Sequence, residues 1–221
     1  MSYRSVLALG VASLTACATA VPGEGPDAQS GRDGPVPSDG NVDGPPQVDA
    51  DCSPMQMELL INPAFDVSGG WEETRIDPQY GIVVSTGGVA PLTAPNKAWL
   101  GGFEKPAASN KDQLHQDVTV PAGTTSLTLA GQYWVGSAEI LPGSFDIGSV
   151  ELASTSNNSL ENVLALDNLD ETTTWTPFTK TFANSYAGQT VRIRLTSAGD
   201  SSNVTNFFYD SLSLTATVTC P

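Results

Sequence analysis

The chain has 221 residues, with 24 Asp plus Glu against 9 Lys plus Arg and a formal net charge of −15. Seven of the acids lie between residues 18 and 51, and residues 52–221 keep 17 acids against seven bases. Such a surface repels nucleic acid and anionic headgroups, which argues against both as partners, and the length after Asp51 suffices for one domain with a substantial core.

Residues 1–16 combine Arg4 with the apolar run Val6–Ala12, the charged start and short hydrophobic segment of a secretory signal, too short to span a membrane. Leu14-Thr15-Ala16-Cys17 then resembles the lipobox of bacterial lipoproteins, whose cysteine is lipidated and becomes the first residue of the mature chain. That resemblance implies an acyl anchor on Cys17 and a place on the bacterial cell envelope; the alternative is a cleaved signal without lipid. No acid follows Cys17 directly, since Ala18 and Thr19 come next. In the lipoprotein sorting pattern this implies the outer membrane, facing either the periplasm or the cell surface.

Residues 17–51 read as a tether. From Ala18 to Asp51 there are six Gly, six Pro and six Asp and no apolar period, so the stretch cannot bury enough surface to fold and is expected to be disordered. Asp39-Gly40-Asn41-Val42-Asp43-Gly44 matches the first half of an EF-hand loop. Ala50 replaces the closing Glu, and Pro45-Pro46 follows, so acidic spacer is the better reading. Cys52 and Cys220 bracket the folded part, residues 52–221. In an exported, oxidising compartment they are expected to form a disulfide worth up to about 5 kcal/mol in the chain-entropy model; two separate thiols are the alternative.

Between the cysteines the pattern is of short strands. Gln113 to Val120 alternates, with Leu114, Gln116, Val118 and Val120 on one face and His115, Asp117 and Thr119 on the other. Further strands are expected at Ser126–Val135, Gly148–Ala153 and Trp175–Phe182. After the turn Tyr186–Gln189, Val191, Ile193 and Leu195 point inward and Arg192 and Arg194 outward. No segment has a helical period, so the expectation is all-β: an antiparallel two-sheet sandwich. In the last strand Phe208, Asp210, Leu212 and Leu214 share one parity, which places a carboxylate on an apolar face. Either a bound cation compensates it, or the parity breaks at Asp210 through a bulge or edge and the side chain is wet.

Five stretches in order carry a resemblance: Asn62-Pro63-Ala64-Phe65-Asp66 with Gly70-Trp71, Ala98–Gly102, Leu114–Gly123, Tyr186–Arg194 and Phe208–Leu214. Together they are similar to the galactose-binding-like jelly roll of carbohydrate-binding modules. The resemblance implies a jelly-roll fold and a structural calcium ion held jointly by Asp66 and Asp210. Ala64 stands where the family usually has Gly, and Ser211 where it often has a second Asp, which leaves the other ligands open.

Catalytic signals are few. His115 beside Asp117 on a regular strand is the pattern of a solvated face, and there is no Gly-x-Ser-x-Gly turn and no His cluster for zinc. A non-catalytic, calcium-stabilised module on a lipid-anchored tether is therefore expected, with a polysaccharide or other glycan as ligand. Its sugar-contacting candidates are Trp71, Tyr80 and Trp134 with Arg75, although each aromatic can equally serve packing. The competing expectation is a protein-interaction, spacer or adhesion module that meets a cell-surface protein and has no sugar ligand.

Overall fold

The computed structural model describes residues 53–105 and 110–219. The signal segment with Cys17, the tether, and the Cys52 and Cys220 pair lie outside the described residues. Eleven strands are present among the described residues: β1 (Met55–Glu58), β2 (Glu72–Thr74), β3 (Val83–Val84), β4 (Lys97–Gly101), β5 (Lys111–Thr119), β6 (Thr124–Ser137), β7 (Ile147–Ser154), β8 (Ser159–Asp167), β9 (Thr176–Thr181), β10 (Thr190–Ala198) and β11 (Thr205–Val218). They form two antiparallel sheets. The first runs β3-β4-β11-β6-β9, with β1 also on β11, and the second runs β2-β5-β10-β7-β8. The expected jelly-roll sandwich is therefore the observed fold.

Alternation explains the packing. Leu114 and Val118 of β5, Val150 and Leu152 of β7, and Val191, Ile193 and Leu195 of β10 all point into the sandwich. From the other sheet they meet Ala98 and Leu100 of β4, Leu127 and Leu129 of β6, and Phe207, Tyr209 and Leu214 of β11. Gln116, the one polar residue on the inner face of β5 near its middle, is satisfied by the backbone of Ile61, accepting its N–H at 2.7 Å and donating to its carbonyl at 2.8 Å. The expected strands at Gln113, Ser126, Gly148 and Trp175 correspond to β5, β6, β7 and β9, while β8 adds an edge strand that the sequence pattern does not announce.

One expectation is corrected in β11. The ladder to β6 shifts register between Asp210 and Ser213, and Ser211 takes φ 50°, a bulge that reverses the alternation. Phe207 and Tyr209 therefore face the core before the bulge, and Leu212 and Leu214 after it. Phe208 and Asp210 face the opposite side of the sheet, under the loop between β3 and β4, where Gly87 and Gly88 lie against the rings of Trp99 and Phe208. The parity breaks, yet Asp210 is not wet: it is 0% exposed.

Its compensation comes from protein groups. Oδ2 accepts the N–H of Leu92 at 2.8 Å and of Thr93 at 3.0 Å, while Oδ1 accepts the Thr93 hydroxyl at 2.8 Å and the Ser211 N–H at 2.6 Å. Lys97, also fully buried, lies over the Phe208 ring and donates to the Thr86 carbonyl. Burial lowers its pKa and the charge of Asp210 opposes that shift. Replacing Asp210 by Ala strands three backbone N–H groups and removes the carboxylate charge near the buried Lys97, and should cost about 3–5 kcal/mol in urea unfolding. A loss below about 1 kcal/mol would show that the loop does not depend on this carboxylate.

Candidate functional site

The residues expected at a site are placed on three surfaces. Asp66 is exposed and lines a cleft of about 320 Å3 with Asn62, Trp71, Glu73 and Asn96. Asp210 is elsewhere occupied: a carboxylate offers about four lone-pair positions, and its four donors fill them. Trp71 is a packing residue, its ring 5.3 Å from Phe65 and its indole N–H on the Asn62 carbonyl at 3.0 Å. Arg75 is held by Glu73 and reaches the Pro78 carbonyl. Tyr80 is 60% exposed and tilts against Phe103 at 5.7 Å. Trp134 lies on the other sheet, edge-on to Trp175 at 6.2 Å. These side chains do not form a common groove.

The outer face of the second sheet is organised instead as rows of polar side chains across β2, β5, β10 and β7. The registers put Glu72 opposite His115, His115 opposite Arg194, and Arg194 opposite Glu151. One step along, Thr74 pairs Gln113, Gln113 pairs Thr196 and Thr196 pairs Ser149; on the other side Asp117 pairs Arg192. The rows are internally bonded. Arg192 makes a two-pronged contact with Asp117 at 2.7 and 2.9 Å and a third bond to Asn157. Arg194 Nη2 donates to Glu151 at 2.6 Å, and its Nη1 donates to the Asn157 carbonyl. Such fork-to-carboxylate pairs hold both partners in fixed geometry.

Beside these rows opens a cleft of about 420 Å3, lined by Thr74, Lys111, Gln113, Glu151, Arg194 and Thr196. Arg194 Nε is itself closed to solvent and has no hydrogen-bond partner among the described residues. Asp112, at the cleft's inner edge, ties the two sheets together by accepting the N–H groups of Ile76 and Gly101; burial nevertheless raises its pKa.

Charges on this face are tuned by their neighbours. The hydrogen bond from Arg192 holds Asp117 below the usual carboxylate range. Burial pushes Glu151 up, but the bonds and charge of Arg194, with Ser159 and Ser149, outweigh it and leave its pKa lowered. His115 is pushed down by burial first and by Arg192 second, against the opposing pull of Glu72 and Asp117. Its Nε2 lies 3.4 Å from Glu72 and its Nδ1 3.3 Å from the Gln113 amide nitrogen, the contacts of a neutral ring that donates on one side and accepts on the other.

Sequence reasoning assigned the outward direction of β5 and β10 correctly but did not join them, and His115, expected on a solvated face, is 8% exposed because its neighbours across the sheet cover it. The pairing of β5 with β10 and of β10 with β7 is what makes one surface from Gln113, Arg194 and Glu151. The signal available was the charge of Arg192 and Arg194 set against Asp117 at matching parity.

No family model matches the chain, and no curated protein matches it either. Among solved structures it is similar to the carbohydrate-binding module TmCBM61 in complex with beta-1,4-galactotriose, at 16% identity and TM-score 0.46, over 72% of this chain and 97% of that one. It is also similar to a Family 16 Carbohydrate Binding Module-2, at 21% identity and TM-score 0.43, over 71% and 98%. A third is the Stig cyclase Fisc from Fischerella sp. TAU in complex with an indole compound, at 16% and 0.45, over 73% and 98%. Likenesses this distant carry no functional argument, and the site is read from its own side chains.

Because the folded state depresses the His115 pKa, the unfolded chain takes up a proton first as pH falls through the ordinary histidine value of ~6.5. Stability is thus complete above that value and declines below it, with a slope of at most about 1.4 kcal/mol per pH unit. The lowered carboxylates Asp117 and Glu151 act in a separate window, losing their contribution as pH falls below the ordinary carboxylate range. Urea unfolding of His115→Gln should show the decline between pH ~7 and ~5 flattened. An unchanged slope would assign the decline to other groups.

Proposed function

We propose that the folded domain is a non-catalytic module that binds carbohydrate on the outer face of the second sheet, in the cleft lined by Arg194. The observation that carries this reading is the Arg194 guanidinium in the cleft wall, fixed through two of its nitrogens by Glu151 and Asn157. A guanidinium already held in fixed geometry loses little freedom when a sugar hydroxyl entering the cleft accepts from its remaining Nη hydrogens. Thr74, Gln113, Glu151 and Thr196 add neutral and anionic groups of both polarities, which suits polyhydroxylated ligands. Tyr80, tilted against Phe103, stands on the segment between β2 and β3 and supplies an exposed aromatic face. A catalytic pair is not favoured, because Asp117 is committed to Arg192 and His115 to Glu72 and Gln113.

In this reading Cys17 carries the lipid, and residues 18–51 space the module from an envelope membrane. A Cys52–Cys220 bridge closes the domain. The pairing of Met55 with Val218 supports the bridge, since the described ends of the domain are neighbours.

The test is retardation of the purified chain in native gels cast with a panel of soluble polysaccharides. Retardation by one glycan should weaken by roughly 10–100-fold in affinity in Arg194→Ala, the range for losing a charged hydrogen bond, and persist in Trp134→Ala. Retardation that depends on Trp134 and not on Arg194 would move the site to the other sheet. No retardation by any glycan, with the fold intact, would overturn the carbohydrate reading.

A second reading, a protein-interaction module, is favoured by one cluster. Ile140 at 85%, Leu141 at 61% and Leu169 at 61% are exposed around two loops bonded through Asn168, which accepts the Phe145 N–H and donates to the Gly143 carbonyl. Exposed apolar residues gathered in this way mark interaction surfaces. Ile140→Glu with Leu141→Ser should abolish capture of a surface protein from intact cells if this reading holds, and leave glycan retardation unchanged.

A further inference from the structure

We propose that the loops between β6 and β7 and between β10 and β11 form a site for a hard divalent cation of the calcium type, held by Glu139, Asp146 and Asp200. One carboxylate oxygen from each lies within 4.8 Å of the others. None of the three is paired with a basic side chain among the described residues, although every Arg salt bridge of the second sheet is made elsewhere. Acidic clusters are common without an ion, and the inference rests on what surrounds this one.

Two buried groups there have no partner. Glu139 Oε1 is shielded from solvent and accepts nothing, while its other oxygen takes only the Asn203 amide at 3.3 Å. Ser197, 3% exposed, has an unpartnered Oγ and faces the same small cavity that Asp146 lines with Asn110 and Gly199. Asp146, also 3% exposed, receives the Asp200 N–H at 2.9 Å on Oδ1. Asp200 accepts the Ser202 N–H at 2.7 Å, so of the three carboxylates Glu139 Oε1 is the oxygen buried without a donor among the described residues, and three carboxylates this close repel one another unless a cation joins them.

The surrounding bonds fix the arrangement. Asn110 donates to the Asp200 carbonyl at 2.6 Å, and Asn168 Oδ1 accepts the Asp146 N–H. Ala138 N–H to the Val204 carbonyl joins the two loops beside Glu139. A Cβ on Gly199 would lie 2.8 Å from Asp146 Oδ1 and closer still to the Asn110 amide, so the close approach requires glycine there. An all-oxygen donor set on irregular loops matches calcium rather than zinc, which takes nitrogen and sulfur. This site is separate from the Arg194 cleft and does not use Asp66 or Asp210.

The experiment is calcium titration of the purified full chain after chelation, followed by calorimetry and thermal unfolding. The wild-type Tm should rise with the logarithm of calcium concentration. Glu139→Gln and Asp200→Asn should each weaken calcium binding at least tenfold. In chelator, where only repulsion is removed, both should be as stable as the wild type or more so, and that inversion distinguishes lost ligands from damaged packing. Asp66→Asn should bind as the wild type does. The proposal is overturned if calcium gives neither heat nor a Tm shift, if both triad variants retain wild-type affinity, or if only Asp66→Asn loses binding.

Discussion

The bulge at Ser211 is the feature on which the rest of the first sheet depends. It lets one 14-residue strand present Phe207 and Tyr209, and then Leu212 and Leu214, to the same core. The cost is that Phe208 and Asp210 are turned to the other side, where a bare sheet would expose an aromatic ring and strand a carboxylate. The loop between β3 and β4 resolves both problems: it covers Phe208 and Trp99 and turns the amides of Leu92 and Thr93 onto Asp210. Lys97 adds a buried positive charge beneath the same loop. Backbone, side chain and charge are thus coupled at one place, and the loop is pinned by chemistry rather than by apolar contact alone.

The sheets and most strands were legible in the sequence because alternation survives wherever one face is buried, as in β5 and β10. β8 was not, because it is an edge strand whose ladder to β7 shifts register twice, and its burial does not alternate. Asp210 was legible as buried but assigned to the wrong side, since a single left-handed residue leaves no mark in a pattern of apolar spacing. The aromatic candidates were open for a different reason. Trp71 packs with Phe65 against the core, whereas Trp134 meets Trp175 half-exposed on the outer side of the first sheet, and spacing does not separate the two situations. Arg194 and the Glu139, Asp146 and Asp200 cluster depend on which strands and loops are neighbours, information carried by topology and not by local spacing.

The two sites divide the charge of the molecule in a consistent way. On the face of the second sheet every Arg is tied to a carboxylate, so the surface is ordered and nearly neutral locally. At the loop end the acids stand without basic partners. A protein with a net charge of −15 has many such acids to place, and most can remain in water. Those that are drawn together and partly buried are the ones that call for an external positive charge.

The pairing of β1 with β11 sets Met55 against Val218, so the described chain begins and finishes on neighbouring strands of one sheet. A fold closed in this way does not need its present order of strands. A short linker from the end of β11 to the start of β1 would join them without crossing the sandwich, and the chain could be opened instead at the β7–β8 turn around Asn157, where φ is already positive. The architecture is in that sense circular, and its natural opening point is one choice among several.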